Sequence, residues 1–119
     1  MSDSGRGELE LRPWGSFHVL EEGPGYKVKR IVVRPQGRLS LQSHRHRAEH
    51  WTIVAGEATV TVGDAVRVVL RGQSVDIAQG DKHRLENFGP TDVEVIEVQF
   101  GDYLGEDDIV RYDDVYNRA

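Results

Sequence analysis

Three of the five histidines fall in one short stretch, His44-Arg45-His46-Arg47-Ala48-Glu49-His50, with a glutamate among them. In an extended strand, side chains at i, i+2 and i+4 share a face, so Gln42, His44 and His46 point the same way. Glu49 lies beyond a turn, at the start of the next strand, where it can return to that face. A further ligand has to come from far along the chain, and His83, just after the turn Gln79–Lys82, is the candidate. Imidazole and carboxylate without thiolate suit one divalent ion: zinc first, with manganese, cobalt, iron or nickel as alternatives. The bland alternative is a solvated basic loop with incidental histidines. Clustering with Glu49 counts against it. His50 alternates away from the metal-facing side, and His18 has no assigned role.

The elements that must position these residues read as strands. Val, Ile, Thr and aromatic residues concentrate in Tyr26–Arg34, Arg38–Ser43, Trp51–Val54, Glu57–Val62, Ala65–Leu70, Ser74–Ile77, His83–Phe88 and Asp92–Phe100. Gly, Pro and Asp punctuate them. Gly63-Asp64 between two alternating runs is a hairpin signal. No run before Gly101 shows a 3.6-residue apolar period. Many short strands with regular turns predict an all-β sandwich, jelly roll or small barrel. Residues 1–10 are polar and predict a flexible tail, with one domain over residues 11–119. The acidic, aromatic stretch Gly101–Ala119 fits either a short helix or a strand laid across the barrel.

Composition bounds the function. The chain has 119 residues, enough for one core, and 20 acidic against 15 basic side chains. Net negative charge argues against nucleic acid as the main partner, while leaving room for a small anion held by a few cations. The absence of cysteine excludes disulfide scaffolds, iron–sulfur clusters and thiol nucleophiles. No apolar run is long enough to span a membrane, and the amino terminus shows no secretory signal, so a cytoplasmic protein is expected.

The segment GQSVDIAQGDKHRLEN, Gly72 to Asn87, resembles the second motif of the cupin family, G-x5-P-x-G-x2-H-x3-N. Ala78 stands where that family has proline. Glu49, six intervening residues and Gly56 fit the end of the first cupin motif. Laying PQGRLSLQSH on its start puts Gln36 at the motif glycine, Gln42 at the first histidine and His44 at the second. The resemblance therefore implies Gln42, His44, Glu49 and His83 as the metal set, with His46 in reserve. It also implies a double-stranded β-helix, a jelly-roll barrel with the metal inside its mouth.

Longer strings narrow the family. RPWGSF, RLSLQ, HRAEHW, HRLEN and YLGEDDIVR occur in order along residues 11–118. Together they resemble the type II mannose-6-phosphate isomerase domain, which commonly follows a guanylyltransferase domain on one chain. No Gly-rich nucleotide loop is visible here, so a stand-alone isomerase is expected. The resemblance implies interconversion of mannose 6-phosphate and fructose 6-phosphate through an enediol, in support of GDP-mannose supply. That chemistry needs a base, for which Glu97 and His46 are candidates. It also needs a cation for the phosphate or the developing charge: Arg84 first, then Lys82, Arg30 and Arg47. Trp14 and Trp51 are expected to pack rather than stack on sugar. The competing readings are another metal-dependent cupin enzyme and a non-enzymatic sugar-binding cupin. Apolar residues on both faces of IVV and RVVL predict a homodimer.

Overall fold

The computed structural model describes residues 7–113. The strands are β1 (Leu9–Arg12), β2 (Gly15–Gly23), β3 (Tyr26–Val33), β4 (Leu41–Ser43), β5 (Arg47–Ala55) and β6 (Glu57–Val62). They continue with β7 (Ala65–Leu70), β8 (Ser74–Ile77), β9 (His83–Glu86), β10 (Val93–Gly101) and β11 (Val110–Asp113). They form two antiparallel sheets, ordered β1-β2-β3-β10-β5-β8 and β11-β4-β9-β6-β7. The all-β barrel expected from the sequence is what forms. No helix among the described residues is long and apolar enough to cross a membrane.

Alternation along the three central strands of the larger sheet explains both core and site. β3 turns Lys27, Lys29, Ile31 and Val33 inward; β5 turns Arg47, Glu49, Trp51 and Ile53; β10 turns Val93, Val95, Glu97 and Gln99. Register aligns them in rows: Ile53, Val95 and Ile31; then Trp51, Glu97 and Lys29; then Glu49, Gln99 and Lys27. The apolar row joins Trp14, Val60, Val69, Val75, Ile77 and Leu85 in one core. Burying each Val or Ile there contributes roughly 1.5–3 kcal/mol. The two polar rows continue the same inward face toward the other end. The apolar half secures the barrel, and the polar half is held open as a lined cavity.

One expectation is corrected here, and one left open is decided. The loose tail ends earlier than residue 10: Leu9 pairs with His18, and the Gly7 N–H donates to the Val19 carbonyl at 2.8 Å. β1 (Leu-Glu-Leu-Arg) is an exposed edge strand, held by backbone hydrogen bonds to β2 without burying Leu9 or Leu11. In the final segment, Val110–Asp113 forms a strand beside β4, deciding between the two readings for those residues. Residues 114–119, and the tail at 1–6, lie outside the described residues.

Of the two departures from the cupin motifs, one carries a visible cost and the other gains a hydrogen bond. Gln36, at the motif glycine, has φ 68°, the left-handed region, and is the non-glycine residue found there among those described. Its N–H donates to the Asn87 carbonyl at 2.8 Å, fixing the turn into β4. Asn87, the last residue of the second motif, is fully buried. Its amide donates to the carbonyls of Val33 and Thr91 at 2.9 and 2.8 Å. It is a staple between loops. At Ala78, in the proline position, the backbone N–H donates to the Asp81 carboxylate at 3.1 Å, a bond proline cannot make.

Candidate metal centre

His44 follows β4 directly, Glu49 sits early in β5 and His83 opens β9. Gln42 of β4 pairs with His83 of β9, which brings the two distant segments together. All three side chains are buried, and a ligand atom from each lies within 4.8 Å of the others. His44 Nε2 is 3.2 Å from Glu49 Oε2, and His83 Nε2 is 3.8 Å from Glu49 Oε1.

Hydrogen bonds define the state of the imidazoles. His44 Nδ1 donates to the Asp108 carbonyl at 2.6 Å, and His83 Nδ1 donates to the Asp81 carbonyl at 2.9 Å. A carbonyl oxygen only accepts, so Nδ1 carries the proton and Nε2 presents a bare lone pair toward Glu49. Arg47 Nη2, a donor, lies 3.2 Å from His44 Nε2, which agrees. Burial, followed by the Arg47 charge, lowers the His44 pKa to about 4. Burial also lowers that of His83. Both rings are neutral at pH 7, the form that binds a metal. Two oriented Nε2 atoms and a carboxylate fit a divalent ion, and a backbone carbonyl behind each histidine is the usual support for such ligands. Gln42 lines the same cavity. Its Nε2 lies 3.3 Å from Ser40 Oγ, leaving its carbonyl oxygen as the atom able to join the set.

A second carboxylate stands beside this group. The Trp51 indole N–H is shared between Glu49 Oε1 and Glu97 Oε2, each at 2.9 Å. Gln99 Nε2 donates to Glu97 Oε1 at 2.6 Å. Burial, then the neighbouring Glu49 charge, raises the Glu97 pKa to about 7. Arg47 bonds Glu49 through Nε at 2.7 Å, while its buried Nη1 has no hydrogen-bond partner among the described residues. That orphaned donor marks a place where a polar ligand would be satisfied.

Six of the expected site residues, Gln42, His44, Glu49, His83, Glu97 and Arg47, line one cavity. Four others do not. His46 is exposed in the turn before β5, with its ring edge-on to Tyr103. Arg84 is buried but bonds the Leu39 carbonyl and Asp113, because alternation on β9 turns it opposite to His83. Lys82 is exposed and lies over the Tyr112 ring. Arg30 faces outward and pairs with Glu94, since on β3 the inward parity belongs to Lys29 and Ile31. His50 faces away, bonded to Asp76, and His18 bonds the Gly7 carbonyl.

The sequence reading assigned no site role to Lys29, Arg12, Arg111 and Glu106, which line the cavity, or to Asp108, which supports His44 from behind. For Lys29 the signal was present: it shares parity with Ile31 and Val33. The others lie within RPWGSF and YLGEDDIVR, strings that carry the family resemblance, but their individual roles depend on where non-adjacent segments settle.

This barrel, with a His–Glu–His cluster in its mouth, is a cupin. Solved structures sharing the fold include an RmlC-like cupin from Shewanella frigidimarina NCIMB 400, with TM-score 0.75 and 20% identity over 90% of this chain and 93% of that one. The capsular polysaccharide assembling protein CapF from Staphylococcus aureus matches with TM-score 0.76 and 20% identity, over 89% of this chain and 32% of that one.

Within the cupins, residues 6–114 match the family described as mannose-6-phosphate isomerase C-terminal, and the chain belongs to it. Among its relatives, xanthan biosynthesis protein XanB of Xanthomonas campestris pv. campestris (strain B100) is 53% identical over 91% of this chain and 23% of its own length. Alginate biosynthesis protein AlgA of Pseudomonas fluorescens is 46% identical over 100% of this chain and 26% of its own. A mannose-1-phosphate guanylyltransferase of Salmonella montevideo is 51% identical over 90% of this chain and 23% of its own. The chain thus spans about a quarter of the length of these curated relatives.

Proposed function

We propose that the chain is a metal-dependent isomerase that interconverts mannose 6-phosphate and fructose 6-phosphate. The observation that carries this is the pairing of two differently placed carboxylates. Glu49 faces both bare histidine nitrogens, and Glu97 lies beside it, outside that group, on the far side of a shared indole N–H. His44, Glu49 and His83, with Gln42, would hold the ion. When bound it supplies Lewis-acid stabilisation of the charge that grows on the sugar oxygens.

The remaining work falls to the chain's own side chains. Glu97 takes a proton from one of the two carbons, C1 and C2 of the sugar, and returns it to the other by way of a cis-enediol, while the hydroxyl proton passes between O2 and O1. Trp51 and Gln99 hold that carboxylate in place. Arg47, with its free Nη1, is placed to donate to a sugar oxygen. The enclosing walls Trp14, Phe17 and Ile31 limit water around the intermediate. The same reading places the protein in the cytoplasm, in mannose activation, with a small sugar phosphate as its partner. It includes a homodimer, to which the exposed Val66, Val68 and Leu70 of β7 would contribute; sedimentation as a 13.4 kDa species would remove that part.

The test is a coupled assay for fructose 6-phosphate before and after chelation, with zinc, manganese or cobalt added back. Turnover that follows the metal is expected. Glu97→Gln should lower kcat by about 10²–10⁴-fold and slow solvent deuterium incorporation at C2 in parallel. No turnover with any of these ions would refute the proposal.

A further inference from the structure

The two polar rows of the barrel end in lysines. Lys29 continues the row Trp51–Glu97, and Lys27 continues Glu49–Gln99, each on β3. Adjacent strands are about 4.8 Å apart, so these lysines start roughly 10 Å from the metal-facing side of β5. Their side chains are only 5% and 10% exposed. Buried lysines require a counter-charge, and the one they share is a single half-exposed carboxylate. Glu106 Oε2 lies 2.6 Å from Lys29 Nζ and 3.8 Å from Lys27 Nζ. Among the described residues Glu106 is the carboxylate in ion-pair contact with both lysines, while Glu97 stands beside Lys29 in its row, and Arg12, which also lines the cavity, lies over Phe17, the ring that Lys29 also covers. Glu106 comes from neither sheet. It belongs to the irregular segment between β10 and β11, tethered by Lys27 Nζ to the Leu104 carbonyl at 2.8 Å.

We propose that Lys29 and Lys27 form a phosphomonoester subsite and that the Glu106 carboxylate is its displaceable occupant. The site takes a phosphate dianion in place of the Glu106 monoanion, its two charges facing the two ammonium groups that Glu106 now contacts. β3 lies two strands from β5 in the same sheet, so a sugar phosphate with its carbonyl end at Glu49 would carry its phosphate across β10 toward the lysines. Assignment to the substrate's own phosphate rests on the isomerase reading; the anion subsite itself does not.

The test uses the full chain in zinc-containing buffer, titrated calorimetrically with inorganic phosphate, mannose 6-phosphate and mannose, with bound zinc measured for each variant. Phosphate and mannose 6-phosphate should bind. Lys29→Met should weaken both about tenfold or more, and Lys29→Arg should restore most of the loss. Glu106→Gln should tighten inorganic phosphate several-fold, because the competing charge is gone. Bound zinc should not change in any of them. Phosphate affinity indifferent to Lys29→Met, no tightening in Glu106→Gln, or zinc lost in step with phosphate in Lys29→Met would each overturn the proposal. Phosphate binding that follows this pattern without any turnover would uphold the subsite while removing the isomerase reading.

Discussion

Asp108 holds His44 of the candidate metal centre from 64 residues away, and its removal can be worked through in numbers. Its carboxylate accepts the backbone N–H of Arg45 and of His46, each at 2.9 Å, while its carbonyl accepts His44 Nδ1 at 2.6 Å. Asp108→Ala keeps the carbonyl but removes the two bonds that hold it under His44. Hydrogen bonds to a charged acceptor contribute about 1.5–3 kcal/mol each. Arg45 and His46 are exposed, so water can take over their N–H groups, and each bond falls below that range to about 1 kcal/mol, for a loss of about 2 kcal/mol in total. That corresponds to a fall in Tm of about 10 °C. Loss of the support behind a ligating histidine costs about 10- to 100-fold in metal affinity. Urea unfolding of metal-free protein and zinc titration against a chromophoric chelator read the two effects separately. The two backbone N–H bonds hold the Asp108 pKa below its ordinary value, although burial opposes them. Its stabilisation is therefore present above the ordinary carboxylate pKa and is lost as the pH falls through the lowered folded value. A stability loss with zinc affinity unchanged would refute the reasoning and reduce Asp108 to a staple of the turn.

Gln36→Gly should stabilise the protein by roughly 0.5–1 kcal/mol, because relief of the left-handed backbone exceeds the added chain entropy. Gly37→Ala, one residue on, should cost about 2 kcal/mol or more, since its Cβ would meet the Trp14 carbonyl at 2.6 Å; chemical denaturation measures both. In metal-free protein, neutral His44 loses stability as pH falls from its ordinary 6.5 toward 4, whereas Glu97 loses stability as pH rises from 4.5 toward 7. The two slopes oppose each other between pH 4.5 and 6.5. Glu97→Gln should therefore steepen the rise of stability with pH by about 1.4 kcal/mol per unit in that window; parallel curves for variant and parent would disprove it. Zinc at about a hundred times its Kd should add about 2.7 kcal/mol to stability, and chelation should remove it, as followed by the melting temperature. No shift in either direction would speak against a metal centre.

Much of the site was legible because ligand chemistry is local. QSHRHRAEH and the later histidine display their donor types in the sequence, and strand alternation gave Gln42 and His44 a common face. The strands Glu57–Val62, Ala65–Leu70 and Ser74–Ile77 form with the bounds their patterns predict, because each lies between turn residues that end it. The type of each β3 residue was equally plain, yet Arg30, which faces outward, was named as a candidate and the inward Lys29 was not. Choosing between them requires knowing which face of the strand is inside, and a chain with both a polar cavity and a polar exterior does not announce it.

What the tertiary structure alone decided is the assembly of distant charges. Glu97 becomes a neighbour of Glu49 only because β10 pairs with β5 in one register. Arg84 leaves the site because its neighbour His83 takes the inward parity of β9. The acidic run Glu106–Asp108 reads as a solvated patch in sequence, but in space it covers buried lysines and props a histidine. The sequence determined which groups were available and their local alternation, both properties of neighbouring residues. Protonation states and partners belong to burial and to separation through space, and the closing of the two sheets sets those.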